Sequence, residues 1–214
     1  MQLKTMLILS FSAFFVGFFH SLVPGHWLPV VLTAKGRKWP LKMATLGALT
    51  TASGHILIST TLGIALIQFG ELGKRFISGH GEQIERYAAL GLCLFGVIYA
   101  LNAYFNHSHC EGHTHHGPAP KKEKTPFLFL FSIGLSPCVA VLPVFATAAT
   151  NGGFTVAMSL LTFSAGVVLS LLTSTVLVSK GVMKLDHPIF EHYGDVITGV
   201  GVAGMGLLLA IIPF

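Results

Sequence analysis

Residues 20–26 read His20-Ser21-Leu22-Val23-Pro24-Gly25-His26 and stand in the middle of an apolar run from about residue 6 to residue 34. A helix needs roughly 20 apolar residues to cross a bilayer, so the run is long enough to span one. Two imidazoles are costly in hydrocarbon, and Pro-Gly interrupts the helical hydrogen-bond ladder. A helix both broken and polar at mid-membrane is the usual signature of a transport site. The stretch therefore sets two expectations: an all-α integral membrane protein, and a function concentrated at a helix break.

Composition agrees. Of 214 residues, 52% are hydrophobic and 10% charged, and the mean hydropathy is +0.73. Globular domains carry about 25% charged residues, so a soluble helical core is a poor fit. The formal charge of +5 comes from Lys and Arg in short loops between apolar runs. That is a membrane-topology pattern and gives no nucleic-acid-binding face. Cys93, Cys110 and Cys138 fall in different segments without CxxC spacing, which argues against a disulfide framework. The first apolar run is too long for a signal-peptide core and lacks an Ala-x-Ala site, so it reads as a retained helix.

Six stretches free of Asp, Glu, Lys and Arg separate the charged clusters, at about 6–34, 43–69, 87–105, 127–150, 154–179 and 196–214. They predict six transmembrane helices. Leu22-Val23-Pro24 parallels Leu135-Ser136-Pro137, and Thr51-Ala52-Ser53-Gly54-His55 parallels Phe163-Ser164-Ala165-Gly166 at nearly the same offset. Three helices per repeat must reverse direction in the membrane. The expected architecture is two inverted three-helix repeats, 1–106 and 126–214, with helices 1 and 4 broken and a His-rich loop, 107–125, between them. Small residues recur in any membrane helix, so chance similarity is the alternative. Lys and Arg number nine in the first, third and fifth loops and four on the other face. This places those loops in the cytoplasm and both termini outside.

Eleven histidines form three groups. His20, His26 and His55 lie inside spans. On an unbroken helix, positions 20 and 26 stand about 240° apart. Unwinding at Pro24-Gly25 lets them converge and frees backbone carbonyls, and His55 adds a third imidazole if helices 1 and 2 pack together. Neutral imidazole is a ligand for nickel, cobalt, zinc and copper; the bland alternative is that each ring hydrogen-bonds a neighbouring helix. Cys138, beside Pro137 at the related break, would complete a nitrogen–sulfur site, or simply pack as a small apolar residue. The second group, His107, His109, His113, His115 and His116 with Cys110, forms a capture tract for divalent cations or a solvated linker. His80, His187 and His192 lie in the remaining connections, and Cys93 reads as packing. No acidic relay crosses the spans, so membrane histidines are the expected proton carriers if protons drive the cycle. Hard, oxygen-seeking ions fit poorly.

The same residues, in the same order along most of the chain, resemble NicO-type nickel/cobalt transporters of the LysE-like superfamily: His20 to His26, then Ser53-Gly54-His55, a His-rich loop, and Gly134-Leu135-Ser136-Pro137-Cys138. The resemblance implies nickel or cobalt as substrate, exported across a bacterial inner membrane, with no prosthetic group. Related high-affinity permeases carry His-x4-Asp-His where this chain has Gly25, which argues against uptake of that type. Ser136-Pro137-Cys138-Val139-Ala140-Val141-Leu142-Pro143 also resembles membrane thiol-electron carriers of the DsbD and cytochrome c biogenesis type. Those need a second relay cysteine, and Gly25 occupies its place. The expectation is a non-enzymatic secondary transporter of divalent transition metals. Its partners are the ion and the bilayer, and a Gly-rich sixth helix could seat a second copy. An accessory role in metalloenzyme maturation is the remaining alternative.

Overall fold

A computed structural model of the chain describes residues 2–107, 124–182 and 188–211. Among them there is no strand. The helices are α1 (Gln2–Ser21), α2 (Pro24–Gly36), α3 (Leu41–His107), α4 (Lys124–Gly134), α5 (Leu142–Thr150), α6 (Gly153–Val182) and α7 (Pro188–Ile211), with a 3-10 turn at Val139–Val141 before α5. α3 is a bent rod rather than one span. Its ladder reverses at Gly70, whose φ of 55° and ψ of −127° suit only a residue without a side chain.

Among the described residues four helices are long and apolar enough to cross a membrane: Gln2–Ser21, Leu41–Gly70, Arg86–Phe105 and Gly153–Gly181. A fifth is the pair Pro126–Gly134 and Val139–Thr150, bent by 43°. The expected sixth span, 196–214, corresponds to a shorter apolar helix, Val196–Ile211. The expected first span, 6–34, is two helices, because Leu22 and Val23 leave the helix and Pro24 opens α2. Thirteen residues of α2 reach only about 20 Å, too short to cross alone.

The distribution of side chains is that of a protein solvated by hydrocarbon. The interior admits many small and polar residues beside its apolar core: Ala13, Ala48, Ala52, Ser59, Thr51 and His55 are buried. The outside is large and apolar, with Phe11, Phe15, Leu57, Leu94, Leu161 and Leu177 exposed. Exposed apolar surface on this scale marks contact with lipid, and the chain is a membrane-embedded helical protein on these grounds. Small residues let backbones touch, as in other membrane bundles. A Cβ at Gly17 would lie 2.7 Å from the Phe163 carbonyl oxygen, and one at Gly54 would lie 2.6 Å from that of Phe131. α1 packs mainly on α6, α4 on α3, and α7 on α3 and α2. Two clusters form the core. One gathers Val141, Phe145, Phe163 and Leu171; the other gathers Val30, Ala44, Phe129, Leu130 and Val202.

Candidate metal centre

Two helix breaks build the site, and α3 lies between them. At the first, α1 ends on His20-Ser21 and α2 starts at Pro24, with His26 in its first turn. Proline is favoured at the first helical position because its missing N–H is unpaired there in any case. Unwinding therefore falls at Leu22–Val23, just before the expected Pro24-Gly25, and Gly25 is helical. The turn brings the His20 and His26 ring centroids to 5.2 Å. It does not free carbonyls for an ion as expected. The His20 carbonyl accepts from the Val23 N–H, that of Val23 from the His26 N–H, and that of Leu22 from the Trp27 indole at 2.8 Å.

At the second break α4 stops at Gly134, and Leu135 to Cys138 are extended or turned before the 3-10 turn begins. Pro137 and Cys138 lie in this non-helical segment, as expected. The Cys138 N–H donates to the Ser59 hydroxyl at 3.0 Å, a buried bond that pins the break to α3. Ser59 sits one turn beyond His55, so both residues point to the same place.

His55 joins the two breaks. Its ring centroid lies 5.5 Å from that of His20 and 4.7 Å from that of His26. The nitrogens of His20 and His55 and the Cys138 sulfur all lie within 4.8 Å of one another. Ligands bound at about 2.0–2.3 Å and sharing one ion three or four ways stand about 3.3–4.0 Å apart, so the triad closes on a cation by drawing in about 1 Å. His26 flanks the triad and offers a further nitrogen without belonging to the tightest set. Two imidazoles and a thiol form a borderline-to-soft donor set suited to late first-row divalent ions.

Burial argues in the same direction. His55 is wholly buried, and neither ring nitrogen has a hydrogen-bond partner among the described residues. The main chain at Gly134 and Ser136 lies beside the ring but not at bonding geometry. An unsatisfied buried polar group costs about 1–3 kcal/mol, so a ring retained only for packing would be better apolar. Phe163 lies beside the site, its ring 6.3 Å from that of His55, with Phe145 edge-on behind it.

Sequence reasoning missed Ser59 and the Phe163–Phe145 wall. The one available signal for Ser59 is its spacing from His55, and Phe163 stands in the quoted repeat without a role. Cys93 is half-buried against α7, where a Cβ on Gly206 would strike its backbone; it lies in the α3–α7 contact and makes no disulfide with Cys138. Of the loop tract, His107 ends α3, while His109, Cys110, His113, His115 and His116 lie outside the described residues, as does His187. His80 is exposed. No protein-family model, curated protein or solved structure matches the chain, so its function is argued from the site.

Removing the Ser59 hydroxyl tests the pin. Ser59→Ala removes the hydroxyl that accepts from the buried Cys138 N–H and should weaken cobalt affinity about tenfold through a misplaced thiol, as losses behind first ligands do. The thiolate-to-cobalt absorption band should shrink while nitrogen ligation persists. An unchanged band would deny Ser59 its positioning role.

Proposed function

We propose that the protein is a secondary transporter of divalent transition-metal cations, with nickel or cobalt the favoured cargo and export from the cytoplasm the favoured direction. The observation that carries the reading is the meeting of His20, His26, His55 and Cys138 at two helix breaks inside an apolar protein. Nickel and cobalt are preferred over zinc and copper because of the NicO-type resemblance; the donor set suits all four. A purely structural role for three neighbouring imidazoles would favour bonded His55 nitrogens, and neither has a partner among the described residues.

An inverted repeat of two three-helix units fits the packing. In such a repeat the contact of spans 1 and 5 maps onto that of spans 4 and 2. Gly17 meets the Phe163 carbonyl and Gly134 meets that of Thr51; Gly166 packs on Phe14, and Gly54 on Phe131. Thr51 and Phe163 are separated in sequence by the same interval as Gly54 and Gly166. The third pair, spans 3 and 6, would map onto itself, and Gly96, Gly199 and Gly206 make that contact backbone to backbone. Rocking one unit against the other opens the site to alternate faces. Imidazole binds either a proton or a metal, so proton exchange is the natural coupling. The His-rich tract would collect the ion on the cytoplasmic side, and the Lys- and Arg-rich loops support that orientation.

Inside-out membrane vesicles loaded with the protein test this directly. Nickel and cobalt should accumulate in a manner dependent on the protein and on a pH gradient, and zinc and calcium less or not at all. Absence of protein-dependent flux for every transition metal would remove the transporter reading. Deleting residues 107–116 should raise the half-saturating concentration several-fold, about the effect of losing accessory ligands, with the maximal rate retained.

A further inference from the structure

The seam between α1 and α6 carries polar groups for which packing alone gives no reason. On α1 the buried face is Ser10, Ala13, Gly17 and Ser21, a helical repeat of three and four. It lies against α6, where Gly17 abuts Phe163 and Gly166 abuts Phe14 and Phe18. On α6, Ser159 precedes Phe163 by one turn and Ser170 follows it by two, about 6 Å and 10 Å along the axis. Ser10 precedes Gly17 by two turns and Ser21 follows it by one. The hydroxyls of Ser10, Ser21, Ser159 and Ser170 are all buried and have no hydrogen-bond partner among the described residues.

Several other hydroxyls of the helices are satisfied locally, although Thr33 on α2 and Thr175 and Ser179 on α6 are also buried and without a partner among the described residues. Thr51 donates to the Gly47 carbonyl, Thr155 to Asn151, Thr162 to Met158 and Ser164 to Leu160, the usual return bond within a helix. The seam hydroxyls forgo it, and the seam itself reaches the imidazoles at two points. Ser21 follows His20 in sequence, and Phe163 faces His55 at 6.3 Å.

We propose that the α1–α6 seam is a hydrated cation path to and from the imidazole site, with hydroxyl oxygens on either side of the Phe163 crossing. A divalent ion leaving imidazole nitrogens has to regain oxygen ligands, and water held by serine hydroxyls supplies them. Phe163 separates the two stretches of the path. The inference rests on the transport reading, but wetness of the seam can be measured without it.

Cysteine is close to serine in size, so Ser159→Cys and Ser170→Cys preserve packing. In full-length protein in liposomes, with Cys93 and Cys110 replaced by alanine and Cys138 kept, each is treated with a small cationic methanethiosulfonate. Leu161→Cys and Leu169→Cys, on the exposed outer side of α6, serve as lipid-facing controls, and the parent without either change sets the background of Cys138. Only a thiolate reacts, and thiolates form in water, so the seam cysteines should react at least about tenfold faster than the controls. Equal inertness would mean a dry seam and overturn the proposal, even with cobalt binding at His20 and His55 intact. Fast labelling in a protein that binds no cobalt would instead uphold the wet seam and remove the transport reading. In flux assays Ser159→Ala combined with Ser170→Ala should slow cobalt movement at least fivefold at unchanged binding affinity; an unaltered rate overturns the path.

Discussion

His55→Leu should abolish high-affinity cobalt binding and leave the metal-free protein at least as stable as the parent. Leucine occupies a volume close to that of histidine and brings no buried polar atom. His55 is wholly buried and neither nitrogen has a partner among the described residues, each such group costing about 1–3 kcal/mol. Removing that cost while keeping the volume is stabilising or neutral, as for other buried polar groups replaced by apolar ones of similar shape. Binding behaves in the opposite way. Loss of a supporting group behind a ligand weakens affinity about 10–100-fold, and loss of the central ligand should exceed the upper end. Thermal unfolding of the apoprotein in detergent and cobalt titration of the same sample read both halves. A histidine kept for structure would give the reverse pattern, a lower melting temperature and unchanged binding. His20→Leu is the companion variant. It should lose affinity to a similar degree with a smaller gain in stability, because His20 is only half-buried.

That opposition between stability and binding explains how much of the site was legible in the sequence. His20, His26 and His55 stand out because imidazoles are out of place in apolar runs, and Pro137-Cys138 because proline marks a helix end. Those residues break the local rule of a membrane helix, and rule-breaking residues are where function is paid for. Ser59 breaks no rule. Serine is common in membrane spans, and only the tertiary fold shows its hydroxyl accepting from Cys138. The position of the first break was misjudged for a related reason. Proline ends the helix before it but also starts the next one well, so Pro24 belongs to α2 and the unwound residues precede it. Hydropathy carried the count of apolar segments but not the count of spans. A run such as 6–34 stays apolar across its break, which only Pro24-Gly25 marks in the sequence, and the fold alone shows how short α2 is.

Gly134→Ala is the single methyl group expected to do most damage to the fold. Gly134 ends α4, and an added Cβ would run into the Thr51 carbonyl oxygen and lie 3.1 Å from the His55 backbone nitrogen. Both are main-chain atoms of α3, so no side chain can rotate away. Either α4 moves off α3, or the break shifts with Cys138 in tow. Overpacking of this kind costs about 1–3 kcal/mol, a large share of a marginal stability, and here the strain falls on the ligand-bearing turn. The melting temperature should drop by several degrees, and cobalt affinity should fall with the loss of the thiolate-to-metal absorption band. Gly204→Ala is the control, because a Cβ there meets nothing within 4 Å and alanine favours the helix by about 1 kcal/mol. It should be neutral or stabilising. Wild-type stability and cobalt spectrum in Gly134→Ala would mean that α3 and α4 do not meet at this glycine, and the placement of Cys138 beside His55 would fall with that contact.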